Sequence, residues 1–397
     1  MSDRIADASF RPASFRPASF RSPGSTPGTS RSDPWNRTPG RVLVVSADIG
    51  AGHDAAAAEL SHRLSAHGLQ VDHLNFFTAL SRPVHWLVRE TYRMLLRWSP
   101  GTYAGLFTLT ERSPSMVTAI RGLLGLARAR MLARLAPDTR LIVTTYPFAN
   151  QLLGPLRRTG QVTVPVVAYV TDISVHPAWL SPGVDTYCVI HDAARQQAGG
   201  WGARDVRVVD PLISARFAPT TTDGKRQARL RFGLPDDGRL ALIVAGSWGV
   251  GDVVRTAADV LATGGIQPVV VCGRNEPMRR RLRGIPGHVM GWVQDMPTLM
   301  RAVDVVVENS GGQTCQQSLA CGLPTITYRP IPGHGTANAE ILDRHGLTTH
   351  VSTPQDLKPV LGTLTGPVSV PGSTRRTGDI TAVVLEALHA HERLRRS

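Results

Sequence analysis

A strand, a glycine turn and a helix follow one another between Val303 and Leu347, and this order restricts the possible folds most strongly. The apolar run Val303 to Val307 predicts a buried strand, and a helix is expected from Thr314 to Cys321. Gly311 and Gly312 lie between them, where a glycine backbone can approach a ligand closely. The first amides of the helix point at the same place and favour an anion. The stretch therefore predicts an α/β fold with a site suited to a diphosphate.

A second loop is expected beside this turn. The strand Thr325 to Tyr328 leads to Gly333 and His334, and then to Asn338 at the head of a further helix. The carboxyl ends of neighbouring parallel strands meet at one edge of a sheet, where open α/β sheets bind their ligands. We therefore expect both loops to converge on one ligand site.

The same order of elements occurs in two halves of the chain. The N-terminal half opens with the strand Val42 to Ser46 and a glycine loop that ends at His53. The C-terminal half restarts with the strand Leu240 to Ala245 and the turn Gly246 to Gly251. Since 397 residues exceed what one hydrophobic core usually organises, we predict two Rossmann-like domains facing each other across a cleft. The predicted segments are a tail over residues 1–40, domains over 41–210 and 211–378, and a C-terminal helix over 379–397.

The composition limits the possible partners and compartment. A net charge of +14 calls for an acidic partner, which could be an anionic membrane surface, a phosphorylated substrate or nucleic acid. Nucleic acid is not expected, because no recognised reading module occurs. The four cysteines form no C-x-x-C pair, which favours reduced thiols, a cytosolic location and no metal site. The tail repeats Ser-Phe-Arg-Pro and is predicted to be disordered, without the apolar run of a signal peptide or a membrane span.

The segment from Arg82 to Arg134 mixes basic and large apolar side chains. It holds nine Arg against two Glu, interleaved with Trp, Tyr, Phe, Leu and Met. Such a mixture on helices suits the headgroup boundary of a membrane. An ordinary amphipathic helical insertion, with aromatics in the core and solvated Arg, explains the pattern equally well.

The first glycine loop allows two interpretations. Gly50-x-Gly52-x-x-Ala55 fits a dinucleotide fingerprint, and Asp72 lies near the position of its ribose-binding acid. This interpretation makes the protein an NAD(P)-dependent oxidoreductase, but it gives the loops after Gly311 no role. His53 is bulky for a pyrophosphate turn, and it is explained more easily as a catalytic base.

Four motifs occur in order along the two halves of the chain. They are Gly50-Ala51-Gly52-His53, Thr171-Asp172 through His176-Pro177-x-Trp179, Cys272-Gly273-Arg274-Asn275, and Ser310-Gly311-Gly312-x-Thr314 through Gly322-Leu323-Pro324. With these motifs the chain resembles the GT-B glycosyltransferases over about residues 41 to 350. Within them it is most similar to the monogalactosyldiacylglycerol synthases, the processive diacylglycerol glucosyltransferases and the peptidoglycan lipid-intermediate N-acetylglucosaminyltransferase.

The resemblance implies an inverting transfer of a hexose or N-acetylhexosamine from a UDP-sugar to a lipid-type, diacylglycerol-like acceptor. It implies no metal and no cofactor, and a cytoplasmic protein that is peripheral at the inner face of the cell membrane. The residues implied to be catalytic are His53 and Asp172. Those implied to bind the acceptor are Gly50, Gly52, His176 and Trp179. Those implied to bind the donor are Gly246, Ser247, Arg274, Gly291, Trp292, Val293, Ser310, Gly311, Gly312, Gln313, Thr314, Gln317, Gly333, His334 and Asn338.

Two departures from the family pattern concern the donor. Gln317 stands where the family usually has a Glu that accepts the ribose hydroxyls, and a Gln brings no charge. His334-Gly335 stands where the family has the Gln-Glu pair that meets the donor sugar. A non-catalytic nucleotide-sugar-binding homologue is therefore an alternative. The sequence leaves the sugar, the acceptor, processivity and the oligomeric state open.

Overall fold

A computed structural model describes residues 41–244, 246, 249–364 and 378–396 of the chain, apart from the side chain of Arg97. The tail predicted over residues 1–40 and the predicted donor-binding residue Ser247 lie outside the described residues.

Twelve strands of the described chain form two six-stranded sheets, and every pair of neighbouring strands is parallel. The strands of the first sheet are β1 (Arg41–Ser46), β2 (Gln70–Asn75), β3 (Thr139–Thr144), β4 (Val166–Tyr169), β5 (Thr186–Val189) and β6 (Val206–Val208). Those of the second are β7 (Arg239–Val244), β8 (Ile266–Val271), β9 (His288–Met290), β10 (Val305–Glu308), β11 (Thr325–Tyr328) and β12 (Thr349–Val351).

Helices cover both sheets. In the N-terminal half they are α1 (Gly52–Ala66), α2 (Arg82–Trp98), α3 (Pro100–Arg112), α4 (Pro114–Leu124), α5 (Arg128–Leu132), α6 (Pro147–Arg158) and α7 (Asp192–Gly200). Those that follow are α8 (Thr222–Arg231), α9 (Val253–Ala262), α10 (Glu276–Arg281), α11 (Met296–Ala302), α12 (Gln313–Ala320), α13 (His334–Arg344), α14 (Pro354–Thr363) and α15 (Ile380–Arg396). Short 3-10 turns occur at Phe76–Ala79, Gly125–Ala127 and Pro177–Trp179.

The first sheet has apolar side chains on both faces. Val42 and Val44 of β1 pack with α1 and α15, whereas Leu43 and Val45 pack on the opposite face with α6. A parallel sheet covered on both faces needs apolar residues at consecutive positions, which explains the uninterrupted apolar run of β1. The C-terminal helix α15 thus returns to the N-terminal half, on the face opposite α6.

Both sheets reverse their strand order beside their first strand. The orders are β2-β1-β3-β4-β5-β6 and β12-β11-β10-β7-β8-β9, so the reversals lie between β1 and β3 and between β7 and β10. Loops that leave the carboxyl ends at such a reversal open a crevice for ligands. The loop after β1 leads to His53 and the loop after β10 carries Gly311, so predicted site residues follow both reversals. The predicted α/β fold with two Rossmann-like halves is confirmed, while the boundary near Asp210 stays a prediction.

The Arg-rich segment forms the helices α2 to α5. Leu96, Val117 and Met131 of this segment are buried in the protein, as an ordinary insertion requires. A second set of large apolar side chains remains exposed: Val84, Trp86, Leu87, Met94, Trp98, Leu106, Leu109, Leu123 and Leu126. Within the described ranges, no helix combines the length and apolar character needed to cross a bilayer.

One predicted helix start is wrong. Asn338 was expected at the head of a helix, but α13 begins at His334 and places Asn338 in its second turn. Gly333, with a positive φ of 83°, ends the preceding loop and lets the helix begin early.

Candidate functional site

His53 lies in the first turn of α1, at the reversal of the first sheet. Its Nδ1 atom is 2.6 Å from the carbonyl oxygen of Thr145 and 3.2 Å from the hydroxyl of Thr171. These partners directly follow β3 and lie just beyond β4. Because a carbonyl oxygen can only accept, the contact with Thr145 assigns the proton to Nδ1. The Nε2 atom of the neutral ring therefore keeps its lone pair and can accept a proton.

The surroundings of His53 keep its ring neutral. Burial lowers its pKa below the usual 6.5, and the negative charge of Asp172 opposes this shift. The ring of Tyr146 packs edge-on against it, with centroids 5.3 Å apart. A neutral imidazole that is held by its partners has the properties of a general base at neutral pH.

Asp172 follows β4 and is the carboxylate of this site. Its Oδ2 atom accepts a hydrogen bond from the indole nitrogen of Trp179 at 3.3 Å, and its charge acts on the pKa values of both His53 and His334. A nearby carboxylate favours the imidazolium that forms when a histidine takes up a proton. Trp179 is itself buried, so its visible effect is to orient Asp172.

His176 joins the loop after β4 to α3. Its Nδ1 atom accepts from the backbone amide of Ala178 at 3.1 Å, and its Nε2 atom lies 3.1 Å from the carbonyl oxygen of Phe107. Both ring nitrogens are therefore bound within the protein. The ring packs on Phe107 at 4.3 Å between centroids, so any contact of His176 with an acceptor involves the ring face.

The glycine turn of the second sheet is hydrogen-bonded to Glu308, a residue that the sequence analysis missed. The buried carboxylate accepts from the amides of Ser310 at 2.8 Å and Gly311 at 2.6 Å, and from the hydroxyl of Thr327 at 2.6 Å. Burial raises the pKa of Glu308, and these hydrogen bonds oppose the rise. Two amides next to the expected anion site thus bind a protein carboxylate instead. An acid at the end of the apolar run of β10 was the available signal.

The next amides belong to the start of α12. The helix begins at Gln313 with Gly312 as its N-cap, and no side chain among the described residues caps it. Its first N–H groups, including that of Thr314, therefore offer an anion site. Gly52 of the N-terminal half lies directly opposite, where an added Cβ would be 3.4 Å from the Cβ of Gln313. The His53 loop and the anion site thus meet across the cleft.

Asn338 connects the two halves instead of facing an open cavity. Its Oδ1 atom accepts from the amide and the hydroxyl of Ser174 at 3.0 and 2.6 Å. Its Nδ2 atom donates to the carbonyl oxygen of Ser310 at 2.9 Å, and it lies 3.5 Å from Asp172. In this arrangement the side chain is fully buried and bound by the protein, so the structure does not present Asn338 to a donor sugar.

His334 faces the cavity beside a tyrosine that the sequence analysis did not single out. The hydroxyl of Tyr103 in α3 is 2.9 Å from Nδ1 of His334, although the two residues lie 231 positions apart. Burial lowers the pKa of His334, with the charge of Asp172 opposing. Next to His334, an added Cβ at Gly333 would lie 3.0 Å from the ring of Phe107. Helix α3 therefore packs closely on the loop before α13.

One cavity of about 450 Å³ combines these groups. It is lined by His53 and Asp172 from the N-terminal half and by Gly312, Thr314 and His334 from the C-terminal half. Most of the remaining lining is apolar or aromatic. The predicted site residues that also line it are Gly50, Gly52, His176, Trp179, Gly246, Ser310, Gln313 and Gln317.

A larger neighbouring cavity of about 1170 Å³ is lined by two further predicted donor residues. It is lined by Arg274 and Trp292, and the guanidinium carbon of Arg274 lies 4.7 Å from the centroid of the Trp292 ring. Gly291 precedes Trp292 in the loop after β9. The partly buried side chain of Val293 packs against the core of the second sheet. The predicted donor residues that line a cavity are therefore split between two neighbouring cavities, whereas Gly291, Val293, Gly311, Gly333 and Asn338 line neither.

Comparisons with known proteins cover both halves of this arrangement. The monogalactosyldiacylglycerol (MGDG) synthase family matches residues 53–209. The processive diacylglycerol beta-glucosyltransferase of Bacillus cereus is 24% identical over 325 residues, which cover 77% of this chain and 80% of that protein.

Solved structures share the fold at low sequence identity. MurG of Acinetobacter baumannii is 14% identical, with 88% of this chain and 100% of that chain covered and a TM-score of 0.50. Arabidopsis thaliana UGT89C1, complexed with UDP, is 11% identical, with 89% and 99% covered and a TM-score of 0.56. Both are similar to this chain over its two facing halves.

Proposed function

We propose that this protein, a glycosyltransferase of the GT-B fold that resembles the diacylglycerol-type enzymes, transfers a hexose or N-acetylhexosamine from a UDP-sugar to a lipid-type acceptor. The observation that carries the proposal is the shared cavity. His53 and the start of α12, which no described side chain caps, line this one cavity together. An acceptor hydroxyl and a donor diphosphate need such a pair of groups on opposite sides of one cleft.

The proposed reaction is a single displacement. Nε2 of His53 removes the proton of the acceptor hydroxyl while that oxygen attacks the anomeric carbon of the sugar. The bond from this carbon to the β-phosphate oxygen breaks, and UDP leaves with the electron pair. Attack from the side opposite UDP inverts the configuration. Asp172 stabilises the imidazolium that forms on His53.

The charge on the leaving diphosphate grows next to the first amides of α12. Fixed N–H donors aimed at developing charge lower a barrier by several kcal/mol in other enzymes, about 3–4 for a single donor. Gly311 shapes this turn, since its φ of 65° favours glycine. In the proposed reaction these amides stabilise the charge on the leaving diphosphate, and no cofactor or metal takes part.

A lipid acceptor fits the lining of the cavity near His53. Its apolar wall is formed by Leu95, Leu106, Phe107, Ile120 and Phe148 from α2, α3, α4 and α6. These five side chains are all apolar, so this part of the cavity favours an uncharged hydroxyl-bearing group over a phosphate. Helices α2, α3 and α4 also carry exposed apolar side chains, and in this proposal the acyl chains of the acceptor contact them.

We place the enzyme at the inner face of the cell membrane as a peripheral protein. Nine Arg against two Glu in the segment 82–134 attract anionic lipid, and the exposed apolar side chains of α2 to α4 suit the headgroup boundary. Binding to anionic vesicles, weak binding to neutral ones and release at high salt are the expected behaviour.

Nucleotide binding tests the proposal against its rivals. Binding of UDP-glucose, UDP-galactose, UDP-N-acetylglucosamine, NAD and NADP is measured by calorimetry on the full chain. A glycosyltransferase binds at least one UDP-sugar and UDP itself. Preference for NAD or NADP supports an oxidoreductase, and UDP-sugar binding without any turnover supports a non-catalytic homologue.

A further inference from the structure

The C-terminal half carries a basic and aromatic surface that extends outward from the predicted donor residues Arg274 and Trp292. The segment Arg274 to Arg283 contains five Arg and one Glu. Arg280, Arg281 and Arg283 are exposed, and Trp292 stands beside the segment with 48% of its surface exposed. We call Arg274–Arg283 together with Trp292 the C-terminal rim.

A similar surface of the N-terminal half borders the same cavity. Arg89, Arg93 and Trp98 of α2 line the cavity of about 1170 Å³ from one side, and Arg281 and Trp292 line it from the other. Trp98 is 73% exposed. Each half thus presents an exposed indole among arginines in the lining of one cavity, Trp98 more fully than Trp292. We call the three α2 residues the N-terminal rim.

The chemistry of both rims fits one partner. Indole rings favour the headgroup level of a bilayer, and arginines near an anionic surface contribute to attachment through lipid phosphates. Transfer of the exposed part of each indole from water to an apolar layer is favourable. An anionic bilayer offers negative charge and an apolar layer to both rims at once.

We propose that the C-terminal rim is a second membrane contact, so that both halves rest on the same anionic bilayer surface. This inference builds on the membrane attachment of α2 to α4 in the proposed function. Two linked contacts bind more tightly than either alone, because the second forms within an already bound molecule. Loss of the C-terminal rim should therefore weaken attachment even though α2 to α4 are intact.

The charge test compares two triple variants of the full chain with the unchanged protein. The rim variant is Arg280→Gln, Arg281→Gln and Arg283→Gln. Its control is Arg195→Gln, Arg226→Gln and Arg393→Gln, which removes three exposed arginines from α7, α8 and α15. Co-sedimentation uses vesicles of phosphatidylglycerol and phosphatidylcholine, and vesicles of phosphatidylcholine alone. We expect at least about tenfold weaker binding of the rim variant to the anionic vesicles and less than about a twofold change in the control.

The aromatic test removes one indole without changing charge. Trp292→Gln is compared with Trp201→Gln, because Trp201 is exposed to nearly the same extent, 47%, at the end of α7. Trp292→Gln should weaken vesicle binding several-fold, and Trp201→Gln should not. Circular dichroism and UDP calorimetry on the Arg rim variant and on Trp292→Gln separate loss of membrane binding from loss of the fold or the donor site.

The outcomes separate the inference from the proposed function. Equal vesicle binding by the rim variant and its control overturns the second contact. If Trp98→Gln then loses vesicle binding, the proposed attachment through α2 still holds. An unchanged protein that ignores anionic vesicles overturns both. Tighter binding to a single-stranded oligonucleotide than to vesicles, lost with the rim arginines, also overturns the membrane assignment.

Discussion

The Nδ1 atom of His53 lies 2.6 Å from the carbonyl oxygen of Thr145, and this contact leaves Nε2 as the atom that can take up a proton. We predict that His53→Ala lowers kcat at least about a hundredfold, as expected for loss of a positioned base. UDP affinity should stay nearly unchanged, because the amides of α12 belong to the other half. Steady-state kinetics and UDP calorimetry measure the two effects.

His62→Ala is the matched control for this variant. His62 lies on the same helix but is exposed, so its loss should leave kcat unchanged. If His53→Ala turns over as fast as His62→Ala, His53 has no part in the mechanism.

The pH dependence of the rate follows from the surroundings of His53. Burial lowers its pKa, so the ring stays in the base form at every pH above the usual 6.5. We expect kcat/KM to be level there and to fall only in more acidic solution, as protons occupy Nε2 through the lowered pKa. A pH profile of kcat/KM on a soluble acceptor analogue measures this. An acidic limb with its midpoint above 6.5 would contradict the neutral, buried base.

Gly311 should be the least replaceable residue of the anion turn. Its φ is 65°, and an added Cβ would lie 2.5 Å from the Cβ of Asn338. We predict that Gly311→Ala lowers the free energy of unfolding by about 1–3 kcal/mol or more and weakens UDP binding. Urea unfolding and calorimetry measure both.

Gly312→Ala provides the comparison at the next position. Its added Cβ would be 3.7 Å from the hydroxyl of Ser310, which is an ordinary contact, and its φ is −91°. The prediction fails if the two alanine variants are equally stable.

Gln317 lines the cavity one turn into α12, where the resemblance implies a ribose-binding acid. Gln317→Glu should tighten UDP binding by at most about 1.5–3 kcal/mol, because a carboxylate makes a charge-assisted hydrogen bond to a ribose hydroxyl. Gln227→Glu on the exposed side of α8 adds the same charge elsewhere and should change nothing. Weaker binding by Gln317→Glu would show that Gln317 serves another ligand, or that the cavity does not bind UDP.

The fold followed from the sequence where local patterns decide it. The strand Thr325 to Tyr328 was predicted with its observed bounds, because Pro324 precedes a short β-branched run. The grouping of His53, Asp172 and the glycine turn was also expected, since carboxyl ends of parallel strands share an edge. In the oxidoreductase alternative, Asp72 was expected to bind a ribose. In the structure its Oδ2 atom forms an ion pair with Nη1 of Arg41 at 2.7 Å.

The contacts between the halves could not be read in the same way. The bonds of Asn338 to Ser174 and of Tyr103 to His334 depend on how two separately patterned sheets dock, which no periodicity encodes. For this reason Asn338 was expected at a helix start that faces a sugar, whereas the structure buries it between the halves. Glu308 was missed because a buried acid at a strand end has no period of its own.

Mass spectrometry of reaction products tests the central proposal most directly. The full chain is incubated with UDP-glucose, UDP-galactose or UDP-N-acetylglucosamine and with vesicles that contain diacylglycerol, and His53→Ala serves as the inactive control. The proposal predicts a diacylglycerol product heavier by one sugar residue, formed together with UDP, in a reaction that survives EDTA and is lost in His53→Ala. Two results would contradict the proposal. In the first, the unchanged protein binds UDP-sugars but forms no such product from any of the three. In the second, the His53→Ala variant forms the product as well as the unchanged protein does.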